Sequence, residues 1–380
     1  MPEHRRRPVP PFVAALAAAL ALGAAAPAGA VAQDTTVAAR VDTAAKKPKK
    51  DKDPDAPPDT TPKRLFREPS VPLAISIRTN LRALYGMRRR EDPAIPATLT
   101  WRLGDAAPET QPIKVDTRGN WRLKSRNCAF PPVKLDIYKD SARKTLFGGQ
   151  SKLKLVSRCE DRNGYEQYIL QEYLLYQVYN LVTPLSMRAR LVKAEFSDSL
   201  GKGKPYVSWA FLIEDDDDMA KRNGMKILEV QEATYADLDP WSSAVFAYFQ
   251  YLIGNTDFSV VRLHNTRLVQ DVTGNVHPVA YDFDFSGAVN ARYAVTDPQL
   301  RIRTVRERLY RGPCLDAEMA ERTAQHFLAR KDAILALYDL PQLDPAIATS
   351  TRKYFTEFFE TIADPRARQR RMQADCVPAA

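Results

Sequence analysis

The sequence predicts an α+β molecule of two lobes, a strand-rich N-lobe and a mainly helical C-lobe. Three observations carry this expectation. Short apolar runs bounded by turn residues follow one another from Leu73 to Ile213. One helical pattern interrupts them at Tyr165. Beyond Pro240 the apolar residues recur at three- and four-residue spacing, except in one polar, hairpin-like segment.

Taken in order, residues 1–32 read as a secretory signal. Arg5, Arg6 and Arg7 form a basic start, Phe12 to Ala26 an Ala/Leu-rich apolar core, and Ala30-Val31-Ala32 a small-x-small cleavage site before Gln33. The apolar run is short and rich in Ala for a membrane span, an uncleaved anchor being the alternative, and no later segment approaches membrane length. The expectation is an exported protein, periplasmic or extracellular, with no transmembrane span after cleavage. Residues 33–66 are dense in Pro, Lys and Asp and poor in large apolar side chains, the composition of a disordered linker. Residues 67–376 are then the folded domain, with the N-lobe at about 67–216 and the C-lobe at about 217–376.

The formal charge of +10 is scattered, and no zinc-finger spacing, helix-turn-helix signature or basic-aromatic interleaving accompanies it, so nucleic acid is not an expected partner. A positive balance equally suits anionic ligands. Four Cys in an exported chain favour disulfides over zinc, because there is no C-x-x-C and the His spacing does not fit. Of the three pairings, Cys128–Cys159 with Cys314–Cys376 is preferred, since each brackets one region.

Strands are expected at Leu73 to Ile77, Ala97 to Leu103, Ile113 to Thr117, Val133 to Tyr138 and Lys152 to Ser157. An amphipathic helix follows at Tyr165 to Leu181, closed by Thr183-Pro184. Strands at Met187 to Phe196 and Tyr206 to Ile213 complete the front half. Helices are expected at Pro240 to Ile253, Ala317 to Leu337 and Pro345 to Ile362.

The chemistry concentrates between Gly254 and Gly287. Asp257 is followed eight positions later by Asn265, and 17 positions after that by Asp282 in an Asp-Phe-Asp triplet. Phosphoryl transfer to a hydroxyl needs a carboxylate to orient the nucleophile, plus an Asn and an Asp to hold the metal that bridges the phosphates. On one strand, Asp282 and Asp284 would share a face, where a divalent cation relieves their repulsion. His264 is expected to be a structural histidine satisfied by a backbone carbonyl. Asp215 to Asp218 is expected to be a solvated turn, because it lacks calcium-loop spacing. No G-x-S-x-G elbow or H-E-x-x-H motif is present.

From Thr117 to Gly287 the chain resembles the spore-coat protein H (CotH) family of atypical secreted kinases. The likeness rests on Arg118-Gly119-Asn120, Pro132-Val133-Lys134-Leu135-Asp136, Lys152 to Leu155, Leu212-Ile213-Glu214, Gly254-Asn255-Thr256-Asp257, His264-Asn265 and Tyr281-Asp282-Phe283-Asp284, in that order. It implies a divergent, bilobal protein-kinase-like fold that binds ATP between the lobes. Asp257 would be the catalytic base, Asn265 and Asp282 would hold Mg²⁺ or Mn²⁺, and Asp284 would be a second ligand or a support. Lys154 or Lys134 would reach the ATP phosphates, paired with Glu172, while Glu214 would lie at the hinge side of the cleft. The implied acceptor is a hydroxyl of a protein Ser or Thr or of another envelope component. The alternative is a non-catalytic envelope binding or structural protein. The Asp-to-Asn interval exceeds the five-residue step of ordinary protein kinases, and no Gly-x-Gly-x-x-Gly loop is present.

Overall fold

Seven strands of the front half close on themselves. In a computed structural model that describes residues 63–67 and 73–378, β1 (Leu73–Thr79) leads through a helical turn, α1 (Leu81–Gly86), to β2 (Ile95–Arg102) and β3 (Glu109–Thr117). Then come β4 (Val133–Ile137), the short α2 (Lys139–Ala142), β5 (Lys152–Val156), α3 (Tyr165–Val182), β6 (Ala189–Asp198) and β7 (Tyr206–Ile213). The barrel order is β1-β2-β3-β4-β5-β7-β6. All neighbours are antiparallel except β6 and β1, whose parallel pairing from Leu73↔Val192 to Thr79↔Asp198 shuts the barrel. Closure removes the exposed strand edges that an open sheet must protect.

Period-two alternation decides what fills the barrel. Leu73, Ile75, Ile77, Leu99, Trp101, Ile113, Val115, Leu135, Leu153, Leu155, Val192, Phe196 and Leu212 are buried in one core. The intervening residues face outward, among them Lys154 between Leu153 and Leu155. Leu65 and Phe66 join that core. The last residues of the expected linker are therefore docked onto the domain, and the Leu65 carbonyl accepts from Arg190 Nη1 at 2.8 Å. The expected signal and the linker up to residue 62 lie outside the described residues.

The back half holds α4 (Asp216–Arg222), β8 (Lys226–Ile227), α5 (Pro240–Ile253), β9 (Thr266–Gln270), β10 (Val276–Ala280), α6 (Ala317–Leu328), α7 (Lys331–Ala336), α8 (Pro345–Ala363) and α9 (Pro365–Arg368). A three-stranded sheet, β10-β9-β8, lies among these helices. This corrects the expectation of a bilobal kinase fold with a helical C-lobe. The molecule instead joins a closed seven-stranded barrel to mixed helical and sheet structure. The deciding contact, β6 against β1, is more than a hundred residues apart in sequence, so local patterns do not report it.

Two helices also differ from expectation. α3 is buried on nearly every side, from Ile169 through Tyr176 without a break, because it packs on the barrel wall at β6 and β7 and on α5. A helix enclosed in this way has no polar face to keep. The single helix expected from Ala317 to Leu337 breaks at Arg330, whose Nε donates to the Leu181 carbonyl at 2.8 Å. That bond satisfies one of the carbonyls orphaned at the end of α3.

Both expected disulfides, Cys128–Cys159 and Cys314–Cys376, are present. Among the described residues no helix is long and apolar enough to cross a membrane.

Candidate functional site

A cleft of about 560 Å³ opens between the barrel wall and the β9–β10 region. Asp257, Asn265, Asp282, Asp284, Lys154 and Glu172 all line it, together with Arg118, Trp121, Arg122, His264, Arg267, Tyr176 and Tyr281. Residues as far apart in the chain as Arg118 and Asp284 thus meet at one surface.

The Asp257 end is built on the C-terminus of α5. Gly254 caps that helix with φ 62°, and a Cβ there would lie 2.0 Å from the Tyr354 hydroxyl. Only glycine fits both demands. The Gly254 carbonyl accepts from Gly287 N at 3.0 Å, so the two ends of the segment are tied together. Asn255 Oδ1 accepts from Asp257 N at 3.0 Å. Asn265 Nδ2 donates to the Asp257 carbonyl at 2.8 Å and to its Oδ2 at 3.1 Å. His264 Nε2 and Asp257 Oδ1 are 3.0 Å apart. His264 is therefore not satisfied by a backbone carbonyl as expected. Its hydrogen bond to Asp257 raises its pKa, outweighing partial burial.

The Asp-Phe-Asp end is not a strand. β10 stops at Ala280, and Asp282 takes φ 64°, a left-handed conformation also seen at Asn265 with φ 50°. Asp and Asn tolerate this region better than most residues, and such conformations concentrate at functional sites. The expected strand alternation is thus replaced by a turn. Phe283 is fully buried and packs on Tyr176 and Phe249 with ring centroids 4.7 and 5.3 Å apart. Asp282 N donates to the Tyr176 hydroxyl at 3.1 Å, and Ala280 N to the Tyr179 hydroxyl at 3.3 Å. With Phe283 pinned, the two carboxylates on either side still reach the cleft, Asp282 exposed and Asp284 buried.

Electrostatically the floor is crowded. Burial, then Asp282, pushes Asp284 up to about 7, although Arg122 and a 3.1 Å hydrogen bond from the Tyr293 hydroxyl oppose this. Burial, then Asp284 and Asp282, holds Glu172 well above the carboxylate range. Glu172 Oε2 is buried without a hydrogen-bond partner. Carboxylates that resist ionising together fit a bound cation. Among the described residues no three His, Cys, Asp or Glu side chains are grouped to hold a metal unaided. Asp282 and Asp284 are the carboxylates of the cleft that could share a cation.

Lys154 reaches the cleft but its Nζ donates to Asp216 Oδ1 at 2.6 Å, and Arg267 Nε donates to Asp216 Oδ2 at 2.8 Å. The acidic turn expected to be merely solvated thus anchors two cations at the cleft wall. Two expected residues are not brought there. Lys134 pairs with Asp116 at 2.9 Å, and Glu214 is buried against Arg222 at 3.0 Å and accepts from Arg188 N. Sequence reasoning missed Arg118, Arg122, Trp121 and Arg267 as site residues. The Arg-Gly-Asn turn was legible, but its place beside the Asp-Phe-Asp turn was not.

No family model matches this chain, and no curated protein matches it.

Proposed function

We propose that this protein is an ATP-dependent phosphotransferase that uses Mg²⁺ or Mn²⁺ and acts on a hydroxyl. The observation that carries the reading is the convergence of Asp257, Asn265, Asp282 and Asp284 with several cations in one cleft. The fold plays no part in it, because function resides in the site. The motif order that resembles the CotH family points to the same chemistry.

Asp257 lies part-exposed at the mouth of the cleft, positioned by Asn255, Asn265 and His264, where it orients the acceptor hydroxyl and takes up its proton. The acceptor oxygen bonds to the γ-phosphorus as the bond to the β–γ bridging oxygen breaks, and ADP departs. Asn265 and Asp282 would hold the metal, with Asp284 as a further ligand or a support. The chemistry such a cation would supply is neutralisation of charge on the phosphate oxygens. The acceptor class is a protein Ser or Thr or another envelope hydroxyl. Two disulfides and the expected signal suit an exported protein. Because nucleotide is scarce outside the cytoplasm, the second reading is a non-catalytic envelope binding protein that keeps the cleft without turnover.

The test is thermal unfolding of oxidised protein with ATP, with and without Mg²⁺ or Mn²⁺, beside Asp282→Ala. Ligand at about 100 times its Kd adds roughly 2.7 kcal/mol to native stability. A metal-dependent rise of several degrees that Asp282→Ala abolishes supports the reading. Absence of any shift in a folded protein overturns it. ADP release separates the phosphotransferase from the binding protein.

A further inference from the structure

The cleft contains two kinds of unmet demand. Glu172, Asp282 and Asp284 crowd three carboxyl groups onto one side, which burial and their mutual repulsion keep from ionising together. On the other, Arg118 and Arg122 lie close enough that each influences the other's neighbours, and both feel Glu172 and Asp282. Among the described residues no direct ion pair joins either guanidinium to those carboxylates, and the Nε of each is buried without a hydrogen-bond partner. Leaving such donors unpaired is costly. The other basic side chains of the wall are already engaged, since Lys154 and Arg267 share Asp216 and Arg90 Nη2 donates to Asn120 Oδ1.

The loop bearing the two arginines is held rigidly. Arg118 N donates to the Pro132 carbonyl at 3.0 Å, Arg122 Nη2 donates to the Ser157 carbonyl, and the Cys128–Cys159 disulfide ties the same loop to the segment before α3. Trp121 lies between them and packs edge-on against Phe285 at 5.4 Å, next to Asp284. A preorganised guanidinium pair facing an acidic floor matches a ligand that brings oxyanions and a divalent cation together.

We propose that Arg118 and Arg122, rather than a strand lysine, receive the phosphate oxygens of a metal–polyphosphate ligand in this cleft. The inference rests on the phosphotransferase reading. Guanidinium forks bind phosphate in pairs of hydrogen bonds, whereas an ammonium acts as a point charge.

The experiment measures binding of sodium tripolyphosphate in chelator, and of ATP with Mn²⁺, by titration calorimetry. Wild type is compared with Arg118→Gln, Arg122→Gln and Lys154→Gln, with unliganded melting as the check on folding. Each arginine variant is expected to weaken both probes by about tenfold or more, and Lys154→Gln by less than about threefold. If the glutamine variants do not fold, Arg118→Lys and Arg122→Lys decide. They keep the charge but lose the fork, so a similar loss supports the proposal and wild-type affinity overturns it. Metal-dependent ATP binding that Lys154→Gln destroys and the arginine variants retain overturns this inference while leaving the phosphotransferase reading intact. A wild-type protein that binds neither probe removes both.

Discussion

Phe283 shows how a residue with no polar atom in its side chain shapes a polar site. Buried against Tyr176 of α3 and Phe249 of α5, it sits between two carboxylates that line the cleft, where Asp282 is left-handed. The consequence for Asp284 is testable. Its pKa is raised from 3.8 to about 7, chiefly by burial. The unfolded chain therefore loses this proton first as pH rises, while the folded protein keeps it up to about 7. More protons bound in the native state mean that stability falls with pH across that window. In chelator, the stability difference between wild type and Asp284→Asn should move against wild type from about pH 4.5 to about pH 7 and then level off, as read by urea unfolding. A difference that is flat across the window would show that Asp284 titrates normally.

At the scale of elements, the first disulfide serves the cleft and the second serves the C-terminus. Cys128–Cys159 fastens the Arg118–Arg122 loop to the start of α3, with Phe130 N donating to the Cys159 carbonyl at 3.0 Å. Cys314–Cys376 fixes the final segment, where Cys314 N donates to the Val377 carbonyl at 2.9 Å. Closing a loop of 31 residues removes chain entropy worth up to about 4 kcal/mol from the unfolded state. The paired change Cys128→Ser with Cys159→Ser is therefore expected to lower unfolding stability by about 2–4 kcal/mol. A denaturant midpoint unchanged from wild type would contradict that. The pairing itself was legible, because four Cys allow only three arrangements. The roles of Lys134 and Glu214 were not. The family resemblance implied each as a cleft residue, and only packing shows that Asp116 and Arg222 already occupy them.

At the scale of the whole molecule, two apolar cores meet across the wall formed by β5, β6 and β7. The barrel interior is one, and α3 with the back-half helices forms the other. Phe66, fully buried in the barrel core, brings the last of the expected linker into the fold. Phe66→Ala should cost about 3–5 kcal/mol as a large-to-small core change. Because Phe66 belongs to the core away from the cleft floor, ATP affinity below the melting transition should stay within about twofold of wild type. A loss of affinity parallel to the loss of stability would show that the two cores are coupled.

The sequence by itself determined the front-half strands, the long helices at Tyr165, Pro240 and Pro345, the preferred disulfide pairs, and the spacing of Asp257, Asn265 and Asp282. Each of these is written in local spacing, turn chemistry or residue type. Tertiary structure alone decided that the front half closes as a barrel, that a sheet lies within the back half, and that Arg118 and Arg122 face the acidic floor. Those outcomes depend on contacts between residues far apart in the chain, such as Leu73 with Val192. Long-range pairings carry a loop-closure cost that only the assembled core repays, so no short window of sequence records them.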